Sequence, residues 1–263
     1  MDLGIEGNAA VVAASSNGLG KAAATALARE GADVVVNGRD EDRLDDAVAE
    51  IRETATGEVV GHPADITVKS EAEGLIGRAV DEFGRLDHLV TNAGGPPSKS
   101  FLETTDEEWY DAYDLLVMSA VRLVREAVPH LRADGGGSIV TSTSRSVKEA
   151  IDGLVLSNSV RMSVIGLEKT LSRELAPEIR VNAVMPGAHE TDRLVYLVER
   201  AVERGEFDSY EESYEARTEG IPTGDLGSPA EFGNAVAFLC SERASFINGE
   251  ALMIDGGSGR SNL

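Results

Sequence analysis

The stretch AAVVAASSNGLGKAAATALAREG, residues 9–31, decides how the rest of the chain is read. Its first seven residues are apolar or small and read as a buried β-strand. The run breaks at Ser16-Asn17-Gly18 and resumes as a helix whose apolar residues recur at three- and four-residue spacing. Gly18 lets the backbone come close to a bound group, and Gly20 lets the helix pack tightly on the strand. A helix entered from such a turn presents unpaired N–H groups and the positive end of its dipole, which suits an anion.

The same unit repeats along the chain. Strand patterns recur at residues 33–37 (DVVVN), 58–64 (EVVGHPA), 86–94 (LDHLVTNAG), 137–144 (GSIVTSTS), 179–187 (IRVNAVMPG) and 251–257 (ALMIDGG), with helical patterns between them. Alternating strands and helices, with strands that are apolar almost throughout, predict a doubly wound parallel sheet of about seven strands covered by helices on both faces. No linker, repeat or low-complexity segment divides residues 1–263, so a single α/β domain is expected. One charged segment, residues 192–224, interrupts the rhythm and reads as two mobile helices, a lid-like insertion.

Apolar residues make up 42% of the chain, enough for a full core, yet no run reaches the length of a membrane span. The N-terminus has no basic leader, and Cys240 stands alone, which excludes an internal disulfide. A cytoplasmic location is expected. The net charge is -22, from 46 acidic and 24 basic residues, and only five of the basic residues are Lys. The acids are scattered rather than gathered in a tail. Scattering with Lys depletion points to a salt-rich, halophilic cytoplasm, where dense counterions relieve self-repulsion over a Debye length of ~3 Å at 1 M salt; a merely solvated acidic surface is the plainer alternative. Nucleic acid and anionic membranes are poor partners for such a surface.

Residues 137–187 carry the most specific pattern: GSIVTSTS, then SNSVRMSVIGLEKTLSREL at 157–175, then RVNAVMPG at 180–187. Together with the turn after the first strand, this resembles the short-chain dehydrogenase/reductase family, in its 3-oxoacyl-thioester reductase-like branch. The turn corresponds to Thr-Gly-x-x-x-Gly-x-Gly, with Ala13 and Ala14 replacing the first Thr and Gly. The resemblance covers essentially the whole chain and implies a Rossmann-type fold. It implies that Ala14, Ser16, Asn17, Gly18, Leu19 and Gly20 cradle a dinucleotide pyrophosphate, and that Asp65 with Ile66 meets the adenine. Asn92-Ala93-Gly94 follows the fourth strand as in the family, and Pro186, Gly187, His189 and Thr191 belong to the loop that holds the nicotinamide carboxamide. The second strand ends Val36-Asn37-Gly38-Arg39, with no acid for a ribose hydroxyl and with an Arg able to fork a phosphate. NADP(H) is therefore expected in preference to NAD(H), unless Arg39 pairs with Asp40 or Asp42. No Cys/His cluster or His-x-x-x-His pair suggests a metal.

The catalytic positions depart from the family. Its Tyr-x-x-x-Lys becomes Ser157-x-x-x-Arg161, its Asn becomes Leu116, and only its Ser remains, as Ser144. A guanidinium holds its charge and can grip ribose hydroxyls or an anion, but does not pass on a proton. Losing a positioned general acid costs roughly 10²–10⁴ in rate. Three sets of residues could substitute. His189 could act as the acid or be a solvated loop residue. Arg145 and Lys148 could polarise a carbonyl or lie on the surface. Tyr196, Tyr210 and Tyr214 could swing in or anchor the lid. Ser142, Ser144 and Ser146 read as alternating along one strand, and Met162 reads as helix core. Two functions follow: an oxidoreductase interconverting a carbonyl and an alcohol with NADP(H), on a small substrate such as a 3-oxoacyl thioester, or a dinucleotide-binding protein of weakened or no turnover, a sensor or partner subunit. The resemblance also implies a homotetramer, built on residues 106–132, 154–176 and FINGEALMIDGG, with Leu115, Val117, Val121, Val124, Val160, Val164, Leu167 and Leu171 as candidate interface residues.

Overall fold

The computed structural model describes residues 2–261. Strand β1 (Ala9–Val12) is wholly buried and runs between β2 (Asp33–Gly38) and β4 (His88–Thr91). With β3 (Val59–Pro63), β5 (Gly137–Ser142), β6 (Ile179–Pro186) and β7 (Ala251–Ile254) it forms one seven-stranded sheet, in the order β3-β2-β1-β4-β5-β6-β7. Every pairing is parallel, so every connection crosses over and helices cover both faces. This is a Rossmann-type doubly wound fold. The strand order reverses between β1 and β4, and the crevice beyond the carboxyl ends of those strands is where such sheets bind ligands.

One face is covered by α1 (Gly18–Arg29), α2 (Glu41–Arg52) and α9 (Pro229–Cys240), which bring Leu27, Leu44, Ile51, Phe232 and Val236 onto the valines of the central strands. Helices α3 (Lys69–Phe83) and α5 (Ser119–Ala133) cover the other face through Leu75, Ile76, Leu123 and Leu131. The helix expected over 106–132 is continuous but carries a π-helical segment: α4 (Asp106–Tyr113) passes through a π-turn at Asp114–Met118 into α5. That turn pushes Leu116 and Val117 inward, into a third apolar cluster with Leu156, Val160 and Val164 of α6 (Val155–Glu174). Helices α7 (Asp192–Glu203) and α8 (Tyr210–Glu219) follow β6 and form the insertion.

Several expectations need correction at this level. Met162 is half exposed on α6 rather than part of the core. Ser146 is not on the strand with Ser142; it lies on a 3₁₀ turn, Arg145–Val147, beyond the end of β5. Of the apolar residues assigned to an interface, Val117, Val124, Val160 and Val164 are buried in the chain's own core, and the others keep part of their surface.

Helix α6 also buries a carboxylate. Glu168 is 2% exposed, and its Oε1 has no hydrogen-bond partner among the described residues. Burial lifts its pKa from 4.5 to about 7, against the pull of Lys169 and helped by Glu250. The folded chain therefore keeps this proton to higher pH than the unfolded chain, so stability is lost as pH rises from 4.5 through about 7. Replacing Glu168→Gln removes that cost. Thermal unfolding should show a gain on the order of 1 kcal/mol at pH 8 and a smaller one at pH 5. A gain independent of pH would assign the effect to packing instead.

Candidate active site

The site begins at the turn between β1 and α1. Gly20 meets this turn so closely that a Cβ there would lie 2.3 Å from the Ala14 carbonyl oxygen and 2.7 Å from Asn92 Nδ2. Asn92 Nδ2 donates to Ala14 O at 3.0 Å, tying the end of β4 to the turn. Ala14 takes φ of 46°, a left-handed conformation that costs a non-glycine residue roughly 1–2 kcal/mol. It is held there by a bond from its own N–H to Asn37 Oδ1 at 2.9 Å. Asn37 is 1% exposed and also donates to the carbonyls of His62 and Ala64, while its own carbonyl accepts from Ser15 and Ser16. The tip of β2 is thus a clamp on the turn. Asn17 caps α1 by accepting from Gly18 N, and its Nδ2 reaches Asp192 Oδ2 at 2.6 Å, joining turn to lid.

A cleft of about 590 Å³ runs from this turn along the carboxyl ends of the strands. The structure brings every residue expected to meet dinucleotide or substrate to its walls: Ala14, Ser16, Asn17, Gly18, Leu19, Gly20, Arg39, Asp65, Ile66, Asn92, Ala93, Gly94, Ser144, Ser157, Arg161, Pro186, Gly187, His189 and Thr191. The fit to a dinucleotide rests on shape. The Gly20 approach leaves no room for a Cβ, and the Gly18 end of α1 opens into the cleft. Arg39 is largely exposed and pairs with neither Asp40, which caps α2, nor Asp42; its Nη1 lies 3.7 Å from Asp65 Oδ2. Desolvation alone would raise the Asp65 pKa. Hydrogen bonds from Thr67 and the pull of Arg39 outweigh it and hold the carboxyl below its ordinary range.

At the other end, β5 delivers Ser144 into an N-cap, where its Oγ accepts from Ser146 N at 3.1 Å. Ser146 Oγ lies 3.5 Å from Ser157 Oγ on α6, and Arg161 Nε, one turn further on, donates to Ser157 Oγ at 3.2 Å. Arg161 is 7% exposed and forms no ion pair among the described residues. Burial, and then the charge of Arg193, lower its pKa to about 10, so it stays cationic at neutral pH. Sequence reasoning did not single out Ser146 as the hydroxyl facing Ser157, because a strand reading groups it with Ser142 and Ser144 and gives no sign of the turn at Arg145–Val147.

His189 is neither solvated nor open to the cleft on both sides. It is 4% exposed, Nδ1 lies 3.3 Å from Gly187 O, and the ring stands edge-on to Phe232. A Cβ at Gly227 would fall 2.8 Å from Nε2, which is itself without a partner. Burial lowers its pKa. A neutral ring that donates through Nδ1 to the carbonyl leaves an acceptor at Nε2 and no second proton to give. This geometry makes His189 a brace between the loop after β6, α9 and Gly227.

The lid is fastened by its polar side chains. Arg193 donates to Pro96 O and stacks 4.8 Å over the Tyr196 ring, the Tyr196 hydroxyl accepts from Ser98 N, and Tyr210 stacks on Tyr214. Tyr196 ties the α7–α8 insertion to the loop at Ser98, Tyr210 and Tyr214 pair within α8, and none of the three lines the cleft. Arg145 lines the cleft, whereas Lys148 is exposed.

Known proteins share this fold. Residues 13–259 match the family model described as enoyl-(acyl carrier protein) reductase. The chain is 34% identical over 253 residues to dehydrogenase/reductase SDR family member 4 of Homo sapiens, covering 95% of this chain and 86% of that one. L-sorbose reductase from Gluconobacter frateurii, solved with NADPH and L-sorbose, superposes with a TM-score of 0.92 at 33% identity, over 99% of this chain and 100% of that one. A 7α-hydroxysteroid dehydrogenase solved with NADH and a 7-oxo bile acid superposes at 0.86 with 29% identity, over 99% and 97%. A seven-stranded parallel sheet, a glycine-bearing turn at its switch point and likeness along nearly the whole chain place this protein in the short-chain dehydrogenase/reductase family.

Proposed function

We propose that the chain is an NADP(H)-dependent oxidoreductase that interconverts a carbonyl and an alcohol on a small molecule. The observation that carries this reading is the continuity of the cleft: one cavity joins the phosphate turn to the Ser144, Ser157 and Arg161 group. The residues that would hold the dinucleotide are the turn at Ala14 to Gly20, Arg39 and Asp65 at the adenosine end, Asn92 to Gly94, and Pro186 to Thr191. When bound, the nicotinamide supplies the hydride. NADPH in the related L-sorbose reductase supports the choice of dinucleotide, and Arg39 supports it from within this chain.

Ser144 and Ser157 orient the substrate carbonyl by donating O–H to its oxygen. Because Arg161 Nε donates to Ser157 Oγ, the Ser157 proton is free to go to the substrate oxygen or to Ser146 Oγ. The buried guanidinium offsets negative charge growing on the substrate oxygen, and in low dielectric that charge counts for more than in water. Ser157 then passes its proton to that oxygen and takes one back from water entering the open cleft, with Ser146 the next hydroxyl in line and Arg161 offsetting the transient negative charge. Leu116, packed in the apolar cluster, leaves no anchor for a longer relay. The substrate is unassigned, and a 3-oxoacyl thioester is one candidate. The packing of Leu116 and the fixed charge of Arg161 also favour a second reading, a dinucleotide-binding sensor or partner subunit with little or no turnover.

The apolar surface left on α4, α6 and the 246–257 segment, including Tyr110, Met162 and a fully exposed Phe246, supports self-association as a homotetramer. At a charge of -22 the assembly would need counterions, so light scattering should give four chains in molar salt and fewer at low salt. A monomer in molar salt would sink the assembly claim.

Two measurements address the site. Arg39→Ala should weaken NADPH binding about tenfold and leave NADH nearly unchanged, because one charge-assisted contact is worth about 1.5–3 kcal/mol. Equal losses for both dinucleotides would remove Arg39 from the phosphate. Ser144→Ala should lower NADPH consumption over a carbonyl panel by about 10²-fold with dinucleotide affinity retained. Binding of NADPH by the unaltered chain, without consumption on any carbonyl at high salt, would favour the sensor.

A further inference from the structure

The walls of the cleft carry an unusual charge for so acidic a chain. Its lining acids are Asp40, Asp65 and Asp192, and all three are engaged at the dinucleotide end: Asp40 caps α2, Asp65 faces Arg39 and Asp192 accepts from Asn17. The end beyond Ser144 and Ser157 has no lining carboxylate. It has Arg145, Arg161, Arg193 and Arg217, and none of the four forms an ion pair among the described residues. Like charges crowded at one place raise the energy of the empty site unless an anion joins them.

Two of these cations line the same cleft from different parts of the fold. Arg145 follows Ser144 on the floor of the cleft and spends Nη1 on Ser258 Oγ, which leaves other donors open. Arg217 hangs from α8 in the lid, donates one Nη2 bond to Leu197 O, and keeps a buried Nε with no partner among the described residues. Burial disfavours the charge on Arg217, and Arg204 and Arg145 add to that, while Glu206, itself paired with Arg204, pulls the other way.

Resting on the oxidoreductase reading above, we propose that Arg145 and Arg217 clamp a carboxylate carried by the substrate itself. The substrate is then a short oxo acid, with its carboxylate a few bonds from the reacting carbonyl. The clamp draws the lid onto the floor only when that charge is present, with Arg193 at its edge. A thioester of a long carrier places its phosphates far from the carbonyl and does not satisfy this pair. The same oxyanion chemistry could be met by free phosphate or by the phosphates of the dinucleotide, and the experiment separates these sources.

The test is equilibrium binding by calorimetry to the full chain saturated with NADP⁺, which needs no turnover. The probes are a series of oxo acids from 2-oxobutanoate to 5-oxohexanoate, their methyl esters, and inorganic phosphate. At least one acid should bind tenfold or more tightly than its ester. Arg145→Gln and Arg217→Gln should each remove that preference, and Arg217→Lys should keep part of it. Equal binding of acids and esters, or no saturable binding of any acid, overturns the proposal. So does phosphate binding that no acid displaces, or glutamine variants that lose NADP⁺ affinity while the acid preference stays. Loss of carbonyl turnover with the acid preference intact would instead count against the oxidoreductase reading alone.

Discussion

One buried amide holds the nucleotide end of this protein together. Asn37 stands at the tip of β2, yet its bonds run to the turn after β1 and to the end of β3, so three strand ends are tied at a single side chain. Such an amide has four hydrogen-bonding capacities, and leaving any of them unmet in the interior costs about 1–3 kcal/mol. Here the bonds offset a left-handed alanine at position 14, where a glycine would adopt the conformation without strain. The turn fixes where α1 begins, and α1 fixes the phosphate end of the cleft. The remaining site geometry is laid out from that point.

Charge is distributed against the trend of the whole chain. Carboxylates are scattered along the chain, whereas the inner end of the cleft is lined by four guanidinium groups that form no ion pair among the described residues. A negative shell around a positive interior repels small anions at long range in dilute buffer, and it lets them through when salt shortens the reach of the field. Arginine suits the inner role better than lysine, because a guanidinium is less strongly hydrated and keeps its charge when partly buried. The scarcity of lysine in the sequence and the arginines lining the cleft fit the same preference.

Much of the architecture was legible before any coordinates. Strand and helix periods follow from backbone geometry, and glycines at 18 and 20 mark a close approach whatever surrounds them, so the sheet, its switch point and the lining of the cleft could all be read. Side-chain direction beyond the ends of regular elements could not. Ser146 leaves the strand pattern because the chain turns at Ser144, and no local signal announces that turn. His189 was read either as an acid or as a solvated residue, since its burial depends on Phe232 and Gly227, some forty residues away in sequence. That Arg145 and Arg217 line one cleft likewise depends on how α7 and α8 lie. Met162 looked like core because its neighbours are apolar, although only one side of α6 is covered by this chain.

The π-turn at Asp114–Met118 has a consequence for anyone wishing to rebuild ordinary chemistry on this scaffold. In the family pattern that site offers an amide to a water chain; here it has become a hydrophobic wall, with Leu116 seated among Ala112, Leu156 and Val160. Reinstating the amide alone would strand a polar group in an oily pocket, and reinstating the phenol and the amine alone would leave them with no supply line. The lost relay and the gained packing are therefore interlocked, and the way back requires recarving the interface between α4 and α6 in the same step.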